Sequence, residues 1–441
     1  QDKTTPSTYG MYITGACSMD ILIPCCAALD VHKKFLVACR RRLLSDKTVE
    51  SQTRRFSTMT RNLEALAAWL AEWACTDVAL ESTGVYWQPV YNILQEHFTI
   101  CLVNAAHVKQ LPGRKTDVND ATWLAQLLQH GLLRGSYIPP IEQRELRDLT
   151  RYRQSLVEER TRILNRLQKV LEDANLKLAS VATSIQGITA QQILRSLVAG
   201  ETDPVVLANL ARGQLQKKKA ELEQALTGRF RPHHRYLLGQ LLSHLDYLDT
   251  EIADLDARID GMLQVLLPFA EAVEHLDTIP GIERTTALII VAEIGVDMSR
   301  YPNDRHLAAW AGLTPGNNET GGRQRSSPIR KGNRYIKRAL VQAAWAAVRK
   351  KGSYLREMYY RLAQRRGPNK AIIAVDRTLL QIAYHLIIRK EAYKELGSNF
   401  FDERDRERTQ QRLVKRLQSL GFVVTIQDEV RPTAEHSFAA A

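Results

Sequence analysis

From about residue 24 the apolar positions fall in short runs, and each run is followed by a longer stretch with helical spacing. "PCCAALDVH" and "KFLVACRR" are β-rich, "TVESQTRRFS" alternates, and "NLEALAAWLAEW" repeats every three or four positions. This predicts three strands in a meander and then a helix. The strand-like "DVALEST", the helix-like "YWQPVYNILQEH", the strand-like "TICLVNA" and a helix through "DVNDATWLAQLLQHG" continue the alternation. The order suits an α/β sheet of the ribonuclease H type, and a generic doubly wound sheet fits the pattern nearly as well.

"YIPP" at 137–140 ends that unit, and long, charged helical patterns follow to about residue 268. Leu238, Leu241, Leu245, Leu248, Ile252, Leu255, Ile259, Met262 and Leu266 alternate three and four apart, which predicts a coiled-coil seam. Leu149, Leu156, Ile163 and Val170 give a weaker matching seam. The two seams pair either as a hairpin in one bundle or as a dimerising arm between chains. At 275–295, "HLDTIPGIERTTALIIVAEIG" predicts two helices about a tight turn at Gly281. Read as a helix-hairpin-helix, its free amides and helix dipole take a phosphate; read as a plain αα-hairpin, it binds nothing. The C-terminal "ERDRERTQQRLVKRLQSLGFVVTI" predicts a basic amphipathic helix followed by one strand, with a disordered end beyond it. The organisation expected is a leader or disordered segment (1–23, with Met19 as the natural start), an α/β domain (24–138), a helical region (139–270), a mainly helical domain (271–398) and a basic tail (399–441).

Charge narrows the class of partner. There are 61 Lys and Arg against 48 Asp and Glu, a net +13, which favours a polyanion, nucleic acid ahead of a ribosome or membrane surface. All six cysteines, Cys17, Cys25, Cys26, Cys39, Cys75 and Cys101, lie in the first quarter without CxxC or His/Cys ligand spacing. That pattern indicates reduced thiols of a cytosolic protein. Apolar runs such as "ALIIVA" are too short to cross a bilayer, and no signal-peptide pattern is visible.

Four acids stand where metal chemistry needs them. Asp30 ends the first strand and Glu81 the strand "DVALE", while Asp117 and Asp120 share a face at i, i+3. Converging carboxylates repel one another unless a divalent cation sits among them, and hard oxygen donors suit Mg²⁺ or Mn²⁺. Two such ions about 4 Å apart serve displacement at phosphorus. Taken singly, Asp117 is equally a helix cap and Glu81 an ordinary strand-end residue.

Three hydroxyls, Thr320, Ser326 and Ser327, lie in a glycine-rich basic loop. Between Glu319 and Glu357 there is no acid and there are eleven Lys or Arg, among them Arg323, Arg325, Arg330, Lys331, Arg334, Lys337 and Arg338. Phosphates relieve that repulsion through counterion release; the bland alternative is a solvated basic face. Asn333 is placed to cap a helix that buries Ile336, Leu340 and Ala343 and turns Arg334, Lys337 and Arg338 outward.

"LDVHKK", "LESTGVYW", "RKTDVNDATWLAQLL", "IPGIERTTALIIVAEIG", "AAWAGLTPGNNETGG" and "RKGNRYIKRAL" together resemble the DEDD insertion-sequence transposases, the bridge-RNA-guided recombinases related to the pilin-gene invertase. The resemblance runs from about residue 25 to about residue 400. It implies a RuvC-like first domain binding Mg²⁺ through Asp30, Glu81, Asp117 and Asp120, a coiled coil, and a second transposase domain. It also implies a bacterial, cytoplasmic, nucleoid-associated homo-oligomer (dimer or tetramer) with composite sites, a structured guide RNA, and double-stranded DNA at element ends and target as substrate. The family's nucleophilic serine falls at Thr320, counted from "GLTP"; its extra methyl crowds the attacking oxygen. Ser326 and Ser327 are the alternative nucleophiles. A junction-resolvase type of nuclease using water, and a non-catalytic nucleic-acid-binding relative, are the competing readings.

Overall fold

The computed structural model describes residues 20–81, 84–104, 120–316, 319–324 and 327–426. The chain divides into two compact units, residues 1–139 and 140–441.

The first unit is a five-stranded sheet with helices on both faces. β1 (Cys25–Val31), β2 (Phe35–Leu43) and β3 (Val49–Ser57) form the antiparallel meander, followed by α1 (Thr60–Ala71), β4 (Asp77–Glu81), α2 (Trp87–Leu94), β5 (Thr99–Val103) and α3 (Asp120–Gln129). The strand order is β3-β2-β1-β4-β5, with β4 parallel to β1 and β5 parallel to β4. β1 and β4 are apolar throughout because both their faces are covered. Ala27, Leu29, Val31, Val78 and Leu80 pack with Leu63, Leu66 and Leu70 of α1 and Val90 and Leu94 of α2. Cys26, Ala28, Ala79 and Val103 pack with Ala121, Leu124, Ala125 and Leu128 of α3. β3, by contrast, is an edge strand of mostly exposed polar residues, which blunts edge-to-edge pairing. Arg40 of β2 is buried between Trp69 and Trp73, its guanidinium 4.2 and 4.3 Å from their rings, and it pairs with Glu72 at 3.0 Å. Cys17 lies outside the described residues; the other five cysteines are free thiols, with Cys25 and Cys75 Sγ 3.5 Å apart.

The second unit is helical. α4 (Ile141–Asp173) leads through the short α5 (Leu178–Val181), α6 (Ile188–Ala199), α7 (Pro204–Asn209) and α8 (Lys219–Leu226) to α9 (Pro232–Val265). α4 and α9 run antiparallel, since Arg153 pairs with Asp256 and Arg160 with Asp249. Leu156, Ile163, Leu167 and Leu171 of α4 share one core with Leu238, Leu242, Leu245 and Leu248 of α9, and α6 and α8 close over it. The two seams thus pair within one chain. On α9 the buried row takes in Leu242 and Leu263, while Leu241 and Met262 are half-buried, because a third layer widens the stripe beyond a two-helix seam.

A second core joins α10 (Leu267–Asp277), α11 (Arg284–Ile294), α12 (Asp304–Trp310), α13 (Arg334–Ala347), α14 (Tyr354–Arg366) and α15 (Pro368–Arg389) to Leu146, Ile259 and Leu263 of the long helices. α15 is the exception to the expectation about apolar runs, since by length and hydropathy it is long enough to cross a bilayer. Here Ile372, Val375, Leu379, Leu380 and Ala383 bury it in the helical core. On the same helix Asp376 is fully buried, neither carboxylate oxygen has a hydrogen bond, and burial pushes its carboxyl up to about 7. α16 (Phe400–Arg404) and α17 (Arg406–Ser419) follow. The expected strand in "GFVVTI" does not form: residues 422–426 have no regular structure, with Phe422 and Val423 exposed and no neighbouring strand among the described residues to take their ladder bonds. The end expected to be disordered lies outside the described residues.

Candidate active site and nucleic-acid interface

Strand register brings the acids of the first unit together. Leu29 of β1 lies opposite Leu80 of β4, so Asp30 and Glu81 are the next step along neighbouring strands. Both follow by two residues an alanine, Ala28 or Ala79, that packs beneath α3, and alternation puts them on that same face. α3 runs antiparallel to β1, because Cys26 Sγ bonds the Ala125 carbonyl at 3.5 Å and the Leu22 amide bonds the Gln129 carbonyl at 3.0 Å. Asp120, the first residue of α3, lies about 7.5 Å along the axis from Ala125, toward the end where Asp30 and Glu81 finish their strands. All three are half-buried. Asp117 lies outside the described residues.

His32 is a neighbour that the four-acid pattern did not include. Its Nε2 is 3.0 Å from Asp30 Oδ2, and its ring packs on Phe35 at 4.7 Å between centroids. The period of two in "DVH" places it on the same face as Asp30 and was the available signal. The three carboxylates share one end of a sheet face, but their ligand atoms are not all within 4.8 Å of one another; their hard oxygens are the donor type a divalent cation takes.

A second cluster, Asp173, His233 and His234, brings its ligand atoms within 4.8 Å of one another. The Arg231 amide donates to His234 Nδ1 at 3.1 Å, which leaves the proton on Nε2 to donate to Asp173 Oδ2 at 2.8 Å. That geometry caps α9 and ties it to the end of α4; a metal there would displace the proton that makes the tie.

The hydroxyl loop is a β-hairpin. At its base the Arg330 amide bonds the Thr314 carbonyl at 3.4 Å, Pro315 bridges Ile329, and the Gly316 amide bonds the Pro328 carbonyl at 3.2 Å. At its tip β6 (Glu319–Thr320) pairs with β7 (Arg323–Gln324), Thr320 opposite Arg323. Gly321 and Gly322 join them with φ of +58° and +74°, the left-handed pair of a type I′ turn. Thr320 is therefore exposed at the hairpin tip. Ser327 is half-buried at the base, its hydroxyl donating to the Pro328 carbonyl at 3.4 Å. Ser326 and Arg325 lie outside the described residues.

Arg323, Arg330, Lys331 and Arg334 are exposed around this hairpin. Lys337 donates to the Arg330 carbonyl at 2.7 Å, and burial lowers its pKa. Arg338 is exposed but pairs with Glu158, so it is a less available phosphate ligand than its neighbours. Asn333 caps α13, accepting from the Tyr335 and Ile336 amides at 2.9 and 3.3 Å, and it donates to Glu293 Oε2 at 2.5 Å. Glu293 is 1% exposed and takes a bidentate pair from Arg151 at 2.7 and 2.9 Å. Arg147 stands 3.5 Å away, its pKa lowered by burial. This buried carboxylate, fixing the end of the hairpin to the long helix, was missed from sequence; its signal was a lone acid in the otherwise apolar "ALIIVAEI".

Gly281 occupies the turn before α11 with φ +85°, and a Cβ there would collide with the backbone of Ala343 and Ala347 in α13. Its most direct constraint is close helix approach. Beside it a pocket of about 350 Å³ is lined by Thr285 and Thr286 of the first turn of α11 and by Arg153 and Arg338.

A DEDD-type IS110 transposase profile matches residues 27–176, and a second, described as "Transposase IS116/IS110/IS902 family", matches residues 273–360. The chain is 26% identical over 302 residues to the transposase for insertion sequence element IS1111A of Coxiella burnetii, covering 66% of this chain and 72% of that one. It is 26% identical over 324 residues to a probable family 20 transposase of Pseudomonas aeruginosa, covering 72% and 85%. The chain belongs to the IS110/IS116 family of insertion-sequence transposases.

Proposed function

We propose that the protein cuts and rejoins double-stranded DNA at the ends of an insertion sequence and at its target, through a covalent link to Thr320. The observation that supports this reading is the placement of Asp30, Glu81 and Asp120 at the same end of one sheet face. Asp30, Glu81, Asp117 and Asp120 would hold a divalent ion, Mg²⁺ or Mn²⁺, which when bound would supply Lewis-acid charge for displacement at the scissile phosphorus. The Thr320 hydroxyl attacks that phosphorus and releases its proton, the bond to the leaving 3′ oxygen breaks, and a phosphothreonine ester forms. Attack by a new 3′ hydroxyl reverses the step, so bond energy is conserved without a nucleotide cofactor.

Arg323, Arg325, Arg330, Lys331 and Arg334 grip the phosphates, and Gly281 with the first turn of α11 takes one more. A structured guide RNA and a homo-oligomer, dimer or tetramer, complete this reading, with the site of action at the bacterial nucleoid. The test traps protein on nicked DNA in a denaturing gel. An adduct that survives Thr320→Ala and disappears with Ser327→Ala moves the nucleophile. Cleavage with no adduct in any variant points to water as nucleophile and a resolvase type of nuclease.

A further inference from the structure

The C-terminal helix α17 lies beyond both family-matched segments, yet with α14 and α16 it encloses a groove of about 1000 Å³. Arg361 and Arg365 line it from α14, Arg404 from α16, and Arg408, Arg412 and Arg416 from α17. The last three repeat every four residues and so form one stripe, about 12 Å long.

Three carboxylates share the groove, Glu357, Asp402 and Asp405, and two of them are engaged: Asp402 by Arg361 at 2.9 Å and Asp405 by Arg404 at 3.3 Å. Arg365, Arg408, Arg412 and Arg416 have no carboxylate within ion-pair distance among the described residues. Between the arginines the lining mixes Met358, Leu362, Leu413 and Phe401 with Gln364 and Thr409, and Arg361 and Arg404 lie over the Phe401 ring at 5.1 and 5.5 Å. Phe401 stacks on Tyr354 with centroids 5.1 Å apart and planes 17° off parallel.

We infer that this groove binds a single strand of nucleic acid, phosphates along the α17 stripe and bases against the Phe401 and Leu413 floor. Same-sign guanidiniums so close repel one another until an anion sits between them, and a stripe repeating along an axis suits a polyanion better than one phosphate. At the stacked duplex rise of about 3.4 Å per nucleotide the 12 Å stripe would span about three to four nucleotides, so it covers fewer of an unstacked, more extended strand. An apolar, aromatic floor serves unstacked bases, which a duplex keeps inside. An acidic protein segment would leave that floor uncovered.

The test is equilibrium binding of labelled oligouridylate, oligothymidylate and a duplex of equal length to the full chain. Magnesium is withheld and Asp30→Asn is present throughout, so the outcome is independent of strand cleavage. The triple variant Arg408→Gln, Arg412→Gln and Arg416→Gln is expected to weaken single-strand binding about tenfold or more and to lower the salt slope by about two, at about 0.7 per phosphate contact. The three corresponding Arg→Lys changes are expected to keep most of the slope. Loss confined to the RNA or to the DNA oligomer identifies the strand. Unchanged affinity and slope for both single strands overturns the inference, and so does an equal loss on the duplex. All three arginines are exposed, and an unchanged melting temperature confirms that the variant folds.

Discussion

The sheet edge of the first unit and the hairpin of the second hold their candidate site residues in opposite ways. Asp30 and Glu81 end two central strands whose preceding residues are fully buried, so register and core packing fix them. Thr320 flanks a two-residue turn, exposed, and among the described residues its hairpin is tied at the base by the Pro315–Ile329 bridge. Charge explains the contrast. Like-charged acids on adjacent strands need a scaffold rigid enough to resist their repulsion, and under the proposed function a hydroxyl that takes up a strand needs reach. The hairpin's fixed point is Glu293, which holds Asn333 at the start of α13.

Breaking the rigid side should have the largest effect. Asp30→Asn or Glu81→Gln is expected to lower strand cleavage at least about a thousandfold, roughly 4 kcal/mol of transition-state stabilisation, with the melting temperature little changed. A nicking assay in Mg²⁺ measures it; residual activity within tenfold of the parent would remove these acids from the chemistry.

The anchor comes next. Glu293→Ala leaves Arg151 and Arg147 without their buried partner and should destabilise the second unit by about 3–5 kcal/mol. Amide exchange should accelerate around 313–336 while β1 and β4 keep their protection. Equal loss in both units would mean that the carboxylate does not anchor the hairpin locally.

Asp376 sharpens the comparison through pH. Its folded pKa, near 7, is above the ordinary carboxylate value, so the folded chain holds the proton longer than the unfolded chain. Its contribution is favourable at low pH and is lost as pH rises through about 7. Asp376→Asn is therefore expected to stabilise the second unit at pH 8 by about 2–4 kcal/mol. The gain should shrink toward pH 4; denaturant melts at the two pH values that gave equal gains would contradict the assignment.

The smallest change is at the exposed hydroxyl. Thr320→Ser removes the methyl that crowds the attacking oxygen and should raise the rate of adduct formation about tenfold, or about 1.4 kcal/mol. A slower serine variant would show that the turn is shaped around threonine.

Much of this was legible in the sequence because it rests on local rules. Alternation and helical spacing gave the meander, the crossover helices and the long helical pair. Asn333 before "RYIKRAL" announced its helix cap. Other features required the tertiary structure. Sequence places Asp30 and Glu81 at strand ends, but only the pairing of β1 with β4 makes them neighbours, since strand order is a non-local choice. Helical spacing located an apolar stripe on α9, but what packs over it decided which residues are buried: α6 and α8 over Leu238 to Leu248, the second core over Ile259 and Leu263. Glu293 and Asp376 look alike in sequence, each a lone acid in an apolar helix, and opposite environments separate them: two arginines and an asparagine surround one, and no hydrogen-bond partner reaches the other. A side chain's periodicity is written along its own helix; the charge and polarity of what packs against it come from segments more than a hundred residues away.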